Sequence, residues 1–162
     1  YQGYVRASMT NSSRVAVVGL GNLLLKDEGI GVHVIRALEE LDLPENTVII
    51  DGGTSPDILD YLEPADKLVI IDAANAGSTP GTIYRFHPDN LILESGQMIS
   101  LHELSLISSL KMARVLKREP PEVIIIGVQP REIDWGTELS DELEEKIPDI
   151  VKVVLKEIGS GS

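Results

Sequence analysis

The chain contains no cysteine, and that one absence removes several kinds of protein together. No disulfide can staple it, no thiolate can hold a metal and no cysteine nucleophile is available, so any metal must be held by histidine and carboxylates. Basic residues are scarce as well: 14 Lys and Arg stand against 26 Asp and Glu, a formal net charge of −12 with a pI near 4.6. A nucleic-acid backbone is bound through Lys and Arg that displace its counterions, so the expected partner is a neutral or basic protein surface and not a nucleic acid. No apolar run approaches the ~20 residues of a membrane span and no signal peptide is visible, which points to a cytoplasmic protein with no membrane partner. Two hydrolase signatures are missing too. There is no G-x-S-x-G elbow, and His102-Glu103 is followed by Leu104-Ser105-Leu106 instead of completing a zinc-protease H-E-x-x-H.

What remains is the pattern of an alternating α/β domain. At 162 residues the chain is expected to be one domain with a sizeable core. Its expected span is 9–158, since Met9 reads as a natural start, and residues 1–8 and 159–162 as vector-derived or tail residues. The organising stretch is Val15 to Gly31, VAVVGLGNLLLKDEGIG. It reads as a strand buried on both faces, a glycine turn and an acidic loop entering a helix. A dinucleotide loop is the competing reading, but the third glycine of that fingerprint is replaced by Leu24, and Asp27 and Glu28 would repel phosphate. Carboxylates there suit a cation.

Ile30, Val34, Ile35, Leu38 and Leu41 then recur at helical spacing. Strands are expected at Thr47–Ile50, Lys67–Ile71 and Val123–Val128, with a short helix at Pro56–Leu62. Gly81–Phe86 follows the third strand too closely for a helical crossover and should be antiparallel. Residues 89–100 read as irregular, and Leu101–Lys117 as a helix apolar around much of its girth, covered by neighbours. Ser140 should cap a final helix that Pro148 breaks or restarts. Together these elements predict a three-layer α/β/α fold around a mostly parallel five-stranded sheet with one strand antiparallel.

In such a sheet ligands bind beyond the carboxyl ends of the strands. Glu28 follows the first strand, Asp72 ends the third and His102 opens the helix before the last, so all three are candidates for one rim. Two carboxylates and an imidazole leave coordination positions open, as a working metal requires. Taken singly each has a structural explanation: Asp72 as a turn cap, Glu28 as a helix-dipole complement, His102 as a surface histidine. Asp27 and Asp51 read as supporting carboxylates or, for Asp27, a solvated one; His33 and His87 read as structural.

Five motifs stand in order: Gly19-Leu20-Gly21-Asn22 through Asp27-Glu28-Gly29-Ile30-Gly31; Asp51-Gly52-Gly53-Thr54; Asp72-Ala73; Ser100-Leu101-His102-Glu103-Leu104; and Gly127-Val128-Gln129-Pro130. The ordered set, from Val15 to Leu155, resembles the hydrogenase maturation endopeptidases. The resemblance implies an endopeptidase that removes the C-terminal extension of a nickel-loaded nickel-iron hydrogenase large-subunit precursor. It also implies that Glu28, Asp72 and His102 are both the catalytic residues and the metal ligands, acting on nickel carried by the precursor, with no organic cofactor. Leu101 stands where some members have Pro, and Glu28 where some have Asp. Two other readings compete: a peptidyl-tRNA hydrolase, which shares the Gly-Leu-Gly-Asn turn but should be basic, and a non-catalytic module docking through the acids of Glu138–Glu145.

Overall fold

The computed structural model describes residues 14–54, 65–88 and 103–159, and of residues 103–108 the backbone alone. The expected helix at Pro56–Leu62, the stretch 89–100 and His102 lie outside the described residues. In chain order the elements are β1 (Val15–Leu20), a 3-10 turn (Lys26–Gly29), α1 (Ile30–Leu38), β2 (Thr47–Gly53), β3 (Lys67–Ala73), β4 (Ile83–Phe86), α2 (Glu103–Val115), β5 (Glu122–Val128) and α3 (Asp141–Gly159). The strands form one sheet in the order β2-β1-β3-β5-β4. All neighbours are parallel except β4, which runs antiparallel to β5.

Successive side chains of a strand point to opposite faces, and the core divides accordingly. Val15, Val17, Val69, Ile71, Ile124 and Ile126 pack with Ile30, Val34 and Leu38 of α1 and Leu143, Ile150 and Val154 of α3. On the other face Ala16, Val18, Leu68, Ile70, Val123 and Ile125 pack with Leu110 and Ala113 of α2. Every residue of β1 and β3 is buried. This is the expected three-layer arrangement, and the unbroken apolar runs of its central strands follow from cover on both sides.

Several expectations change in detail. The helix through Leu110 is not covered all round: Met112, Val115 and Leu116 are exposed, because only the face bearing Leu110 and Ala113 meets the sheet. Leu41 lies past the end of α1 and is exposed. Pro148 neither breaks nor restarts the last helix, which runs unbroken from Asp141 to Gly159. Proline costs that helix a hydrogen bond, yet Leu143 before it and Ile150, Val154 and Ile158 after it are all buried in the same core, and this shared anchorage holds the axis together. No helix among the described residues is long and apolar enough to cross a membrane.

Lys67, the first residue of β3, is 1% exposed. Its Nζ donates to the Glu157 carbonyl oxygen at 2.8 Å and to Glu157 Oε1 at 3.0 Å, and Arg85 donates to the same carboxylate from β4. This network ties α3 to two strands. A strand-initial lysine gives no sign in the sequence of being buried.

Candidate active site

The order β2-β1-β3 means that the chain leaves β1 to one side and later returns on the other. Such a reversal opens a crevice beyond the carboxyl ends of the two parallel strands, where α/β folds place their ligands. Glu28 follows β1 and Asp72 lies at the end of β3, so both belong to this switch point.

The glycines of the first motif make the approach possible. A Cβ on Gly19 would strike the Gly31 carbonyl oxygen, and one on Gly31 would strike the carbonyl oxygens of Leu20 and Ile71. Helix α1 therefore starts hard against the tips of β1 and β3. Gly21, with φ +147°, lies directly under the carbonyl oxygen of Glu28, which leaves no room for a side chain. These glycines are for close packing of backbone. The 3-10 turn rests against β3, and Glu28 and Asp72 are each 4% exposed.

Asp27 is not the solvated carboxylate that the sequence allowed. Nor is it a free carboxylate for a cation: it is fully buried and accepts four hydrogen bonds. Oδ2 accepts from the backbone N–H of Arg131 and Glu132 at 2.8 Å each and from Ser140 Oγ at 2.7 Å; Oδ1 accepts from Ser140 N–H at 2.7 Å. The backbone adds Lys26 N–H to Gly136 O at 2.9 Å, Gly136 N–H to Leu24 O at 2.9 Å and Asp27 N–H to Glu132 O at 3.0 Å. The loop that carries Glu28 is thus fastened to the segment 131–140. Ser140 directly precedes α3, its carbonyl accepting from Leu143 and Glu144 while its hydroxyl donates to Asp27. Asp51 is exposed and accepts from Gly53 N–H at 3.0 Å, an ordinary turn contact within β2.

On the β3 side the loop 74–78 is held by Gln129, 5% exposed. Its Oε1 accepts from Ala76 N–H at 2.8 Å, Ser78 N–H at 3.2 Å and Tyr84 OH at 2.9 Å, while Nε2 donates to Asn75 Oδ1 at 3.0 Å. Gly127, two residues before Gln129, pairs with Asp72 in the sheet. Gln129 stood in the last sequence motif, but nothing in spacing announces these four polar contacts. His33 on α1 is half-buried; burial first, then Arg36, lowers its imidazole below the usual value while Glu144 and Asp27 oppose the shift.

Glu28 and Asp72 are therefore both buried on the side of the sheet where the parallel strands end, and His102 lies outside the described residues. Among the described residues no three His, Asp or Glu side chains group to hold a metal ion.

The family model for hydrogenase maturation proteases of the HycI type matches residues 32–157. The hydrogenase expression/formation protein HupD of Bradyrhizobium diazoefficiens is 35% identical over 160 residues, an alignment covering 93% of this chain and 82% of that protein. The solved structure of the hydrogenase maturating endopeptidase HybD from E. coli superposes with a TM-score of 0.83 at 30% identity, covering 92% of this chain and 94% of that one. The nickel-iron hydrogenase maturation protease HybD from Thermococcus kodakarensis gives 0.76 at 30% identity over 88% and 97%. These matches run through the whole α/β domain, far beyond the Gly-Leu-Gly-Asn turn shared with peptidyl-tRNA hydrolases. The chain is an endopeptidase and belongs to the hydrogenase maturation protease family.

Proposed function

We propose that residues 9–158 form one peptidase domain that acts in the cytoplasm on the nickel-loaded precursor of a nickel-iron hydrogenase large subunit. It removes the precursor's C-terminal extension. Glu28, Asp72 and His102 engage the nickel carried by the precursor and so bring the scissile peptide to the β1/β3 crevice. The metal belongs to the substrate. It polarises the scissile carbonyl or activates the attacking water; water adds to the carbonyl carbon, the C–N bond breaks and the leaving amine takes a proton. Nickel accepts imidazole and carboxylate ligands, so two carboxylates and one histidine suit it.

The observation that carries this reading is the shared burial of Glu28 and Asp72 at the switch point of a fold whose family is established. The test is incubation with nickel-loaded and nickel-free precursor, followed by mass spectrometry of the large subunit. Loss of the extension only from the loaded form is expected. Equal processing of both forms would remove the metal from the mechanism, and retention of the extension in both would remove the activity.

A further inference from the structure

Leu24, Ile133 and Trp135 are large apolar residues exposed at 54%, 47% and 76%. Exposed apolar residues scattered singly call for no explanation. These three share one mount. Leu24 lies four residues before Glu28, and Ile133 and Trp135 lie on the segment fastened to that loop through Glu132 O, Gly136 and the Asp27 carboxylate. A backbone so fixed needs no ordering of its loop on contact, and tryptophan is enriched where binding energy concentrates.

Charge around this ridge is negative on balance. Asp134, Glu138 and Asp141 are exposed beside it. The local bases are occupied: Lys26 Nζ is 3.3 Å from Glu132, and Arg131 Nε is 3.2 Å from Glu142. A second copy of this chain, of net charge −12, would bring the same acids against themselves across a two-fold interface. The complementary surface is apolar with a basic border.

We propose that Leu24, Ile133 and Trp135 form the docking ridge for the large-subunit precursor, meeting an apolar patch of that subunit bordered by Lys and Arg. This rests on the function proposed above. The ridge supplies affinity and register, and its rigid link to Glu28 sets where the bound precursor meets the crevice.

The ridge has a built-in reporter, since Trp135 is the only tryptophan. Enzyme labelled with 5-fluorotryptophan should give one fluorine resonance that shifts or broadens on adding unlabelled nickel-loaded precursor. In parallel, the Trp135→Ser, Ile133→Ser double variant should raise KM for the precursor at least about tenfold, the scale of a lost hot spot. Its kcat should stay within about twofold and its fold should match wild type by circular dichroism. Added salt should raise the wild-type KM.

An unmoved resonance or an unchanged KM in a cleaving wild type would overturn the ridge and leave the proposed function standing. A shifted resonance without cleavage would overturn the function and leave the ridge. A wild-type dimer that sediments as a monomer after the double substitution would make the ridge a contact between copies, and the proposal would fall.

Discussion

Asp27 and Ser140 lie 113 positions apart and are joined by two hydrogen bonds of 2.7 Å, one from the serine N–H and one from its hydroxyl. The first residue of α3's cap is thereby tied to the residue beside Glu28. Replacing Asp27 by Ala strands four donors, two of them buried, and should cost about 3–5 kcal/mol, whereas Ser140→Ala removes one neutral-to-charged bond and should cost about 1–3 kcal/mol. Urea unfolding of both single variants and the double variant should show the two losses to be non-additive.

Gly31→Ala should be among the most damaging single-methyl changes in the chain. The added carbon would meet two backbone carbonyl oxygens, of Leu20 and Ile71, and backbone can yield only by moving α1 off the sheet. A loss of about 1–3 kcal/mol is expected from overpacking alone. Processing should fall further than stability explains, because the same shift moves Glu28 away from Asp72. Unfolding midpoints measured beside cleavage rates would separate the two.

The Glu157 carboxyl is held below the usual carboxylate range, first by the hydrogen bond from Arg85, with Lys67 adding to it and burial opposing. A depressed folded value means that the carboxylate's stabilisation is fully present above the unfolded pKa of about 4.3 and is lost as pH falls below it through the folded value. Glu157→Gln should flatten the stability curve in that acid window. Glu157→Ala leaves buried Lys67 without this carboxylate and should cost about 3–5 kcal/mol at neutral pH. Chemical denaturation from pH 7 down to pH 3 would show both effects.

His33 titrates in a different window. Its folded pKa lies below the ordinary imidazole value of about 6.5, and Nε2 is buried with no hydrogen-bond partner among the described residues. The unfolded chain then binds the proton first, so stability should be complete above about pH 6.5 and decline as pH falls toward the folded value. Protonation must place a charge where burial disfavours it. His33→Phe, of similar shape, should remove that decline while changing stability at pH 7 by no more than about 1.5 kcal/mol.

Gln129→Ala should free the loop beyond Asp72. The Ala76 and Ser78 amides lose their acceptor and Tyr84 OH loses its partner, so hydrogen exchange should accelerate at those two amides while the β3 and β5 amides remain protected.

How much of this could be read in advance depended on whether the signal was local. The Val15–Val18 run, the glycines after it and the alternation of strand and helix announced a buried parallel sheet, because burial on two faces demands continuous apolar residues and a turn at the strand's end demands glycine. The antiparallel β4 followed from a loop too short to hold a crossover. Local patterns also put Asp72 at the end of one strand and Glu28 in the loop after another, since a strand's end is defined by where the apolar run stops. The hydrogen bonds of Lys67, Asp27 and Gln129 gave no local sign because their partners are Glu157, Ser140 and the 74–78 loop, each far away in the chain.

The α/β fold class, the order of the strands along the chain and the family were encoded locally, in contacts between near neighbours or in motifs that can be aligned. Long-range packing set three further outcomes: Asp27 is a buried clamp, Pro148 sits within a continuous helix, and Leu24 and Trp135 share one mount. Those outcomes are set by hydrogen bonds and packing between segments about a hundred residues apart. No periodicity within either segment encodes them, because the free energy that selects them exists only once both segments are in place.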